Sequence, residues 1–196
     1  MSKLPSLLQT VPSPLQGSVE LLPEFRGEHT CKVSPDLLHD LMVWLKSEGF
    51  DYLVDISSLD YFDQDPRFEV VYELFSYSFE EHLRVKCAIP EDEARVPTVS
   101  DLWSTANWHE REVFDMMGIQ FDGHPDLRRI LMWEGYPFFP LRKDFPLEGR
   151  ETEMPDIAFT RPAPLEGGPF VTSPSSNNSQ VREPRAKEFA DRSSAS

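Results

Sequence analysis

Carboxylates, imidazoles, guanidinium groups and glycines crowd into one stretch, His109 to Leu147, at spacings that suit chemistry. In His109-Glu110-Arg111-Glu112-Val113-Phe114-Asp115, the residues His109, Glu112 and Asp115 recur every three positions. On a helix that spacing places them along one side. An imidazole and two carboxylates so placed suit a metal-ligand set, and the first two residues overlap the zinc-protease pattern H-E-x-x-H. Position 113 is Val where the second histidine belongs, so that pattern lacks its defining ligand. The favoured reading is an ion-pair network: Glu110, Glu112 and Asp115 against Arg111, Arg128, Arg129, Arg142 and Lys143. Carboxylates at a buried junction need such partners, because unpaired charges there are costly.

Gly118-Ile119-Gln120-Phe121-Asp122-Gly123-His124 imitates the glycine spacing of a phosphate-binding loop. The Lys-Ser/Thr pair that would touch phosphate and magnesium is replaced by His124-Pro125. Gly118 reads instead as a left-handed helix terminator, and Gly123 as a tight turn before Pro125. His124 reads as a hydrogen-bonded structural histidine in preference to a proton-active group. No G-x-G-x-x-G or G-x-S-x-G occurs, so dinucleotide and serine-nucleophile fingerprints are both missing. The two cysteines, Cys31 and Cys87, form no C-x-x-C and are too few for an iron–sulfur cluster. They read as small core residues. Trp103, Trp108, Trp133, Tyr136, Phe138 and Phe139 surround the motif, and the run Trp133 to Pro140 beside Arg142 has the composition of an interface hot spot.

The elements that must position these residues can be read on either side of them. Ser34 and Pro35 open a helix as N-cap and first residue, with Leu37, Leu38, Leu41, Met42 and Leu45 forming its apolar stripe and Gly49 ending it. Three strand-like runs follow, 50–62, 67–79 and 82–89. In the last, Leu83, Val85, Cys87 and Ile89 alternate with Arg84 and Lys86, and the short turns between the runs favour an antiparallel meander. Thr98 or Ser100 can cap a second helical stretch that runs on or restarts at Ala106 and ends at Gly118; 127–131 is strand-like. The fold class is α+β, a mainly antiparallel sheet with helices on one face. Residues 1–17 read as a flexible arm, 18–149 as the domain, and the Pro/Ser-rich 150–196 as an extended or disordered tail. Within that tail Phe159, Leu165 and Phe170 are spaced like anchors on a partner.

A net charge of −15 and a pI near 4.7 argue against broad nucleic-acid or anionic-membrane binding. Mean hydropathy is −0.43 and no apolar run approaches the length of a membrane span. The N-terminus shows neither a secretory signal nor a transit-peptide pattern. A protein kept reduced in the compartment where it is made is expected.

The ordered series ERE-x-x-D, F-x-G-H-P, LRRIL and LRKDFPL, standing at 110–115, 121–125, 127–131 and 141–147, resembles the signature of the 30-kDa (or C) subunit of proton-pumping NADH–quinone oxidoreductase (respiratory complex I). The resemblance implies a cofactor-free scaffold in the peripheral arm, packed against the D subunit and near the B and I subunits. FMN, iron–sulfur clusters and the quinone pocket then reside in partner subunits, and NADH and ubiquinone are met only through the assembly. It also implies attachment to the cytoplasmic side of the cell inner membrane through partners, with the D subunit a separate polypeptide. Glu110, Arg111, Glu112, Asp115, Gly118, Gly123, His124, Pro125, Arg128, Arg129, Arg142, Lys143 and Asp144 would organise the fold and its docking surface. Two departures stand out: Phe138-Phe139-Pro140 intervene before Leu141, and the last segment lacks the family's acidic, Tyr-containing continuation. The equivalent subunit of a ferredoxin-dependent quinone reductase or a membrane-bound hydrogenase is the related alternative. A metal-dependent hydrolase built on His109, Glu112 and Asp115 is the distant one.

Overall fold

The structure is a computed structural model and describes residues 10–13, 15–147 and 149–150. The expected C-terminal tail therefore lies outside the described residues. Five strands form the main sheet: β1 (Glu20–Leu21), β2 (His29–Val33), β3 (Tyr52–Asp60), β4 (Phe68–Ser76) and β5 (Glu81–Ile89). Their order is β1-β2-β5-β4-β3. The pairings β1–β2, β3–β4 and β4–β5 are antiparallel, and β2–β5 is parallel. The meander β3-β4-β5 and the mainly antiparallel α+β class follow the sequence reading. The parallel pair arises because α1 (Pro35–Ser47) carries the chain from β2 across to the far edge before the meander returns.

Period-two alternation divides the sheet into an apolar and a charged face. On one face Phe68, Val70, Tyr72 and Leu74 of β4 stand opposite Ile89, Cys87, Val85 and Leu83 of β5, all buried. Leu38, Leu41, Met42 and Leu45 of α1 join the same core, as do Val113, Met116 and Met117 of α2 (Ala106–Met117). On the other face Lys86 pairs with Glu69, and Arg84 pairs with both Glu73 and Glu28. Burial pushes the Cys31 and Cys87 thiols up to about 12, so both are inert core groups.

Local chemistry departs from expectation in four places. Ser34 takes the extended N-cap conformation, yet its side chain makes no cap hydrogen bond. Residues 98–105 form no helix, with turns at 100–102 and 104–105, and α2 starts at Ala106, because the Thr98 hydroxyl is engaged by Glu110 rather than by a helix N-terminus. No strand forms at 127–131, whose amides are used elsewhere. The N-terminal arm is not loose over its described part: Val11 and Leu15 are buried in the core, spaced i, i+4 around a turn in which Leu15 and Gln16 donate to the Pro12 carbonyl. A second, parallel two-stranded sheet, β6 (Arg95–Pro97) with β7 (Gln120–Asp122), brackets α2 as a β–α–β crossover. Among the described residues no helix is long and apolar enough to cross a membrane.

Removing a buried leucine side chain costs about 2–5 kcal/mol where the site cannot collapse. Leu15→Ala should therefore lower unfolding free energy by about that amount in urea titrations. A change within about 0.5 kcal/mol, the usual scale for surface sites, would mean that the arm does not dock.

Candidate functional site

The site is built at the C-terminal end of α2. Asp115 is fully buried, and its Oδ2 accepts the backbone N–H groups of Ile130, Leu131 and Met132 at 3.0, 2.6 and 2.8 Å. Its Oδ1 receives Arg129 Nη1 at 2.6 Å, and the same guanidinium donates to the Phe138 carbonyl at 3.1 Å. Burial alone would raise this carboxyl, but the three amides and Arg129 outweigh it and hold it below the usual carboxylate range. Three consecutive N–H groups converging on one carboxylate cannot also alternate along a strand. That is why 127–131 is irregular.

Gly118 follows in the left-handed conformation, φ 75°. A Cβ there would stand 2.6 Å from Phe139 and 2.7 Å from Arg142, so glycine is required twice over, by backbone angle and by space. Through that gap the LRKDFPL segment closes onto the helix end. Leu141 N–H donates to the Met116 carbonyl at 3.1 Å and Arg142 Nε to the Met117 carbonyl at 2.7 Å. The Arg142 guanidinium lies 4.6 Å from the Phe139 ring centroid and 5.1 Å from that of Phe68. Lys143 N–H donates to Asp60 Oδ2 at 2.8 Å, and Asp144 pairs with Arg67 at 3.2 Å. Arg67 is itself buried, bidentate to Asp60 at 2.8 and 2.9 Å and bonded to Glu91 at 2.6 Å. The Arg67 bond lowers the Asp60 carboxyl.

The first turns of α2 separate the residues that the sequence spacing had grouped. His109 Nδ1 meets Asp55 of β3 at 3.0 Å, Glu112 is exposed, and Asp115 points into the 130–132 amides. The helical side therefore does not gather a metal-ligand set. The expected ion-pair network is also corrected: Asp115–Arg129 is its one member among the described residues. Glu110 is fully buried and accepts from Thr98 and Val99 N–H; Arg111 donates to the Arg128 carbonyl and lies over Trp108 at 4.9 Å; Arg128 pairs with Asp126 at the surface. His124 Nδ1 accepts Asp126 N–H at 3.0 Å while Nε2 reaches the Asn107 carbonyl at 3.2 Å. Gly123 makes the positive-φ turn before His124 and Pro125.

Sequence reasoning missed Asp60 and Arg67. The available signal was an arginine opening a strongly apolar strand, where a charge has to be paired. Outside this polar scaffold, Trp133, Tyr136, Phe138 and Phe145 form a chain of edge and tilted ring contacts at 5.6, 5.7 and 5.9 Å. Trp108, Leu131 and Leu141 are 63%, 60% and 61% exposed. Chemically, the arrangement has polar groups turned inward to hold a loop, and aromatic and aliphatic groups turned outward.

A family model described as "Respiratory-chain NADH dehydrogenase, 30 Kd subunit" matches residues 31–151, the span that holds both helices, the β3-β4-β5 meander and the LRKDFPL segment. The chain belongs to this family. It is 44% identical over 153 residues to the second C-type subunit of the NADH-quinone oxidoreductase of Rhizobium meliloti (strain 1021), covering 76% of this chain and 84% of that one. Among solved structures it is similar to the trypsin-resistant fragment (1–134) of Nqo5, with TM-score 0.56 and 34% identity over 64% of this chain and 99% of that one. It is also similar to a chain of the membrane-bound sulfane sulfur reductase, described as an archaeal respiratory membrane complex, with TM-score 0.65 and 25% identity over 74% and 87%. In this 30-kDa subunit fold the signature residues Asp115, Gly118, Arg129, Arg142 and Asp144 are joined by contacts within the chain.

Asp115→Asn should cost about 3–5 kcal/mol near neutral pH, the scale for breaking a buried ion pair. A carboxyl held low in the folded state stabilises above its unfolded value of 3.8 and loses that contribution as pH falls through the lower folded value. The gap between wild type and variant in urea titrations should therefore narrow as the pH is taken below about 4. A gap that stayed constant would contradict the assignment.

Proposed function

We propose that this chain is a cofactor-free scaffold subunit in the peripheral arm of a proton-translocating NADH–quinone oxidoreductase. Electrons pass from NADH to quinone in partner subunits, which carry the FMN and the iron–sulfur clusters, and proton export is coupled to that transfer. The chain docks on subunits D, B and I and is held through them at the cytoplasmic side of the inner membrane.

The observation that carries this reading is the division of labour around Asp115. The polar signature side chains Asp115, Arg129, Arg142 and Asp144 are spent on intramolecular bonds, while Leu131 and Leu141 on the same segment, and Trp108 just before it in sequence, are held exposed. Exposed apolar groups on a fixed backbone supply desolvation energy to a partner without an ordering cost. Family membership gives the partner its class. The likeness to the sulfane sulfur reductase supports a second reading, the same scaffold in a respiratory complex with another electron donor or acceptor.

Affinity purification of the tagged chain from its native membranes, with mass spectrometry and an NADH:quinone reductase assay, tests the proposal. Recovery of subunits B, D and I with flavin, clusters and activity supports it. Recovery of a quinone-reducing core without the NADH-oxidising subunits supports the second reading, and a lone protein overturns both.

The two arginines separate folding from docking. Arg142→Glu should release the LRKDFPL segment from the helix end, with a loss of about 1.5–3 kcal/mol, the scale of a hydrogen bond from a charged group. Trp108→Ala and Arg128→Glu, both at exposed positions, should leave the melting temperature unchanged and reduce recovery of partner subunits. Full recovery with either surface variant would defeat the docking assignment.

A further inference from the structure

The β6–α2–β7 crossover contains a polar cluster that the scaffold role does not use. Glu110, on the first turns of α2, reaches back to the chain just after β6, where its Oε1 accepts Val99 N–H at 2.7 Å and its Oε2 bonds the Thr98 hydroxyl. The same carboxyl lies 3.8 Å from Nε2 of His124, which follows β7. One side chain thus sits at the C-terminal ends of both parallel strands and touches the segments that leave them.

We propose that Glu110, Thr98 and His124 form a protonation-sensitive latch on the β6–α2–β7 unit, closed while the Glu110 carboxyl holds its proton and loosened when that proton is lost. The geometry supports this in three ways. First, the side chains of both Glu110 and His124 are wholly inaccessible to solvent. Second, no lysine or arginine pairs with Glu110 among the described residues. The groups that face it are the Thr98 and Ser100 hydroxyls and Asp101 from the loop, His124 from the turn after β7, and Tyr72 from β4. Third, both ring nitrogens of His124 are already engaged, Nδ1 by Asp126 N–H and Nε2 with the Asn107 carbonyl.

An ionised carboxylate in this position would need entering water. Water entry parts Glu110 from the 98–100 loop. The Thr98 and Ser100 hydroxyls, 2.8 Å apart, give the proton a hydrogen-bonded route towards solvent. The Tyr72 hydroxyl, buried and without a hydrogen-bond partner among the described residues, offers one polar contact that an entering water can make.

Burial raises the Glu110 carboxyl to about 7, against the opposing bonds from Thr98 and Val99. A raised carboxyl stabilises the fold below its unfolded value of 4.5, and that contribution declines as pH rises and is gone above about 7. This window is opposite in direction to that of Asp115. The proposal does not depend on which partner the chain docks with.

The test is amide hydrogen exchange on the full chain and on Glu110→Gln, corrected for the intrinsic pH dependence of exchange, with the β4 and β5 amides as internal controls. In the wild type, protection of the Val99 amide, which donates to Glu110, should fall by about tenfold or more between pH 5.5 and 8.5. In Glu110→Gln, whose amide keeps both hydrogen bonds without a charge, protection should not change with pH. Wild-type protection that is flat with pH, or an equal fall in the variant, would overturn the proposal. Should the variant not fold, the wild-type side-chain carboxyl carbon decides: a protonated acid at pH 5.5 that titrates near neutrality supports the latch, and a carboxylate throughout overturns it.

Discussion

One carboxylate sets the geometry on which the rest of this protein's signature depends. Residues 127–147 contain no helix or strand, yet backbone N–H groups taken from water must find acceptors. Asp115 accepts three of them in succession and fixes Arg129 at the same time, so an irregular segment gains what a sheet would otherwise supply. The last carbonyls of α2, left without intrahelical partners, receive Leu141 N–H and Arg142 Nε. Helix termination and loop closure are therefore the same event, and Gly118 is the residue that leaves room for it.

The second constraint is the pairing of charge across the sheet edge. Arg67 immediately precedes β4, and the antiparallel register, which sets Asp60 at the end of β3 opposite Phe68, brings it to Asp60. This buried pair then receives Asp144 and the Lys143 amide, so the closing segment is tied to the sheet as well as to the helix. Buried charges with several partners tolerate little rearrangement, because removing one partner exposes the full desolvation cost of the other. The outcome is a loop tied to both helix and sheet, carrying exposed apolar side chains at set positions. Fixing a surface in this way limits the entropy lost when a partner docks.

Much of this was legible in the sequence. The α1 stripe, the meander and the left-handed Gly118 follow from periodicity and residue type, and the family was visible in the ordered motifs from Glu110 to Leu147. Partners across long sequence separations were not legible. Asp60 with Arg67 and Lys143 depends on strand register, and Asp115 with 130–132 depends on where a loop returns. His109, Glu112 and Asp115 show the limit from the other side: equal spacing on a helix places side chains near one another without giving them a common partner. Glu110 looked like a member of an ion-pair network and is a buried carboxyl with no cationic partner among the described residues, a distinction that only burial makes.

Asp115 organises an otherwise irregular segment, and native-state hydrogen exchange of the Leu131 and Met132 amides in the full chain is the measurement that decides it. Protection should approach that of the β4 and β5 amides, although neither residue lies in a helix or strand and Leu131 is 60% exposed. Exchange at the rate of an unstructured loop would contradict it, and would return the signature to a set of surface charges that order only on a partner.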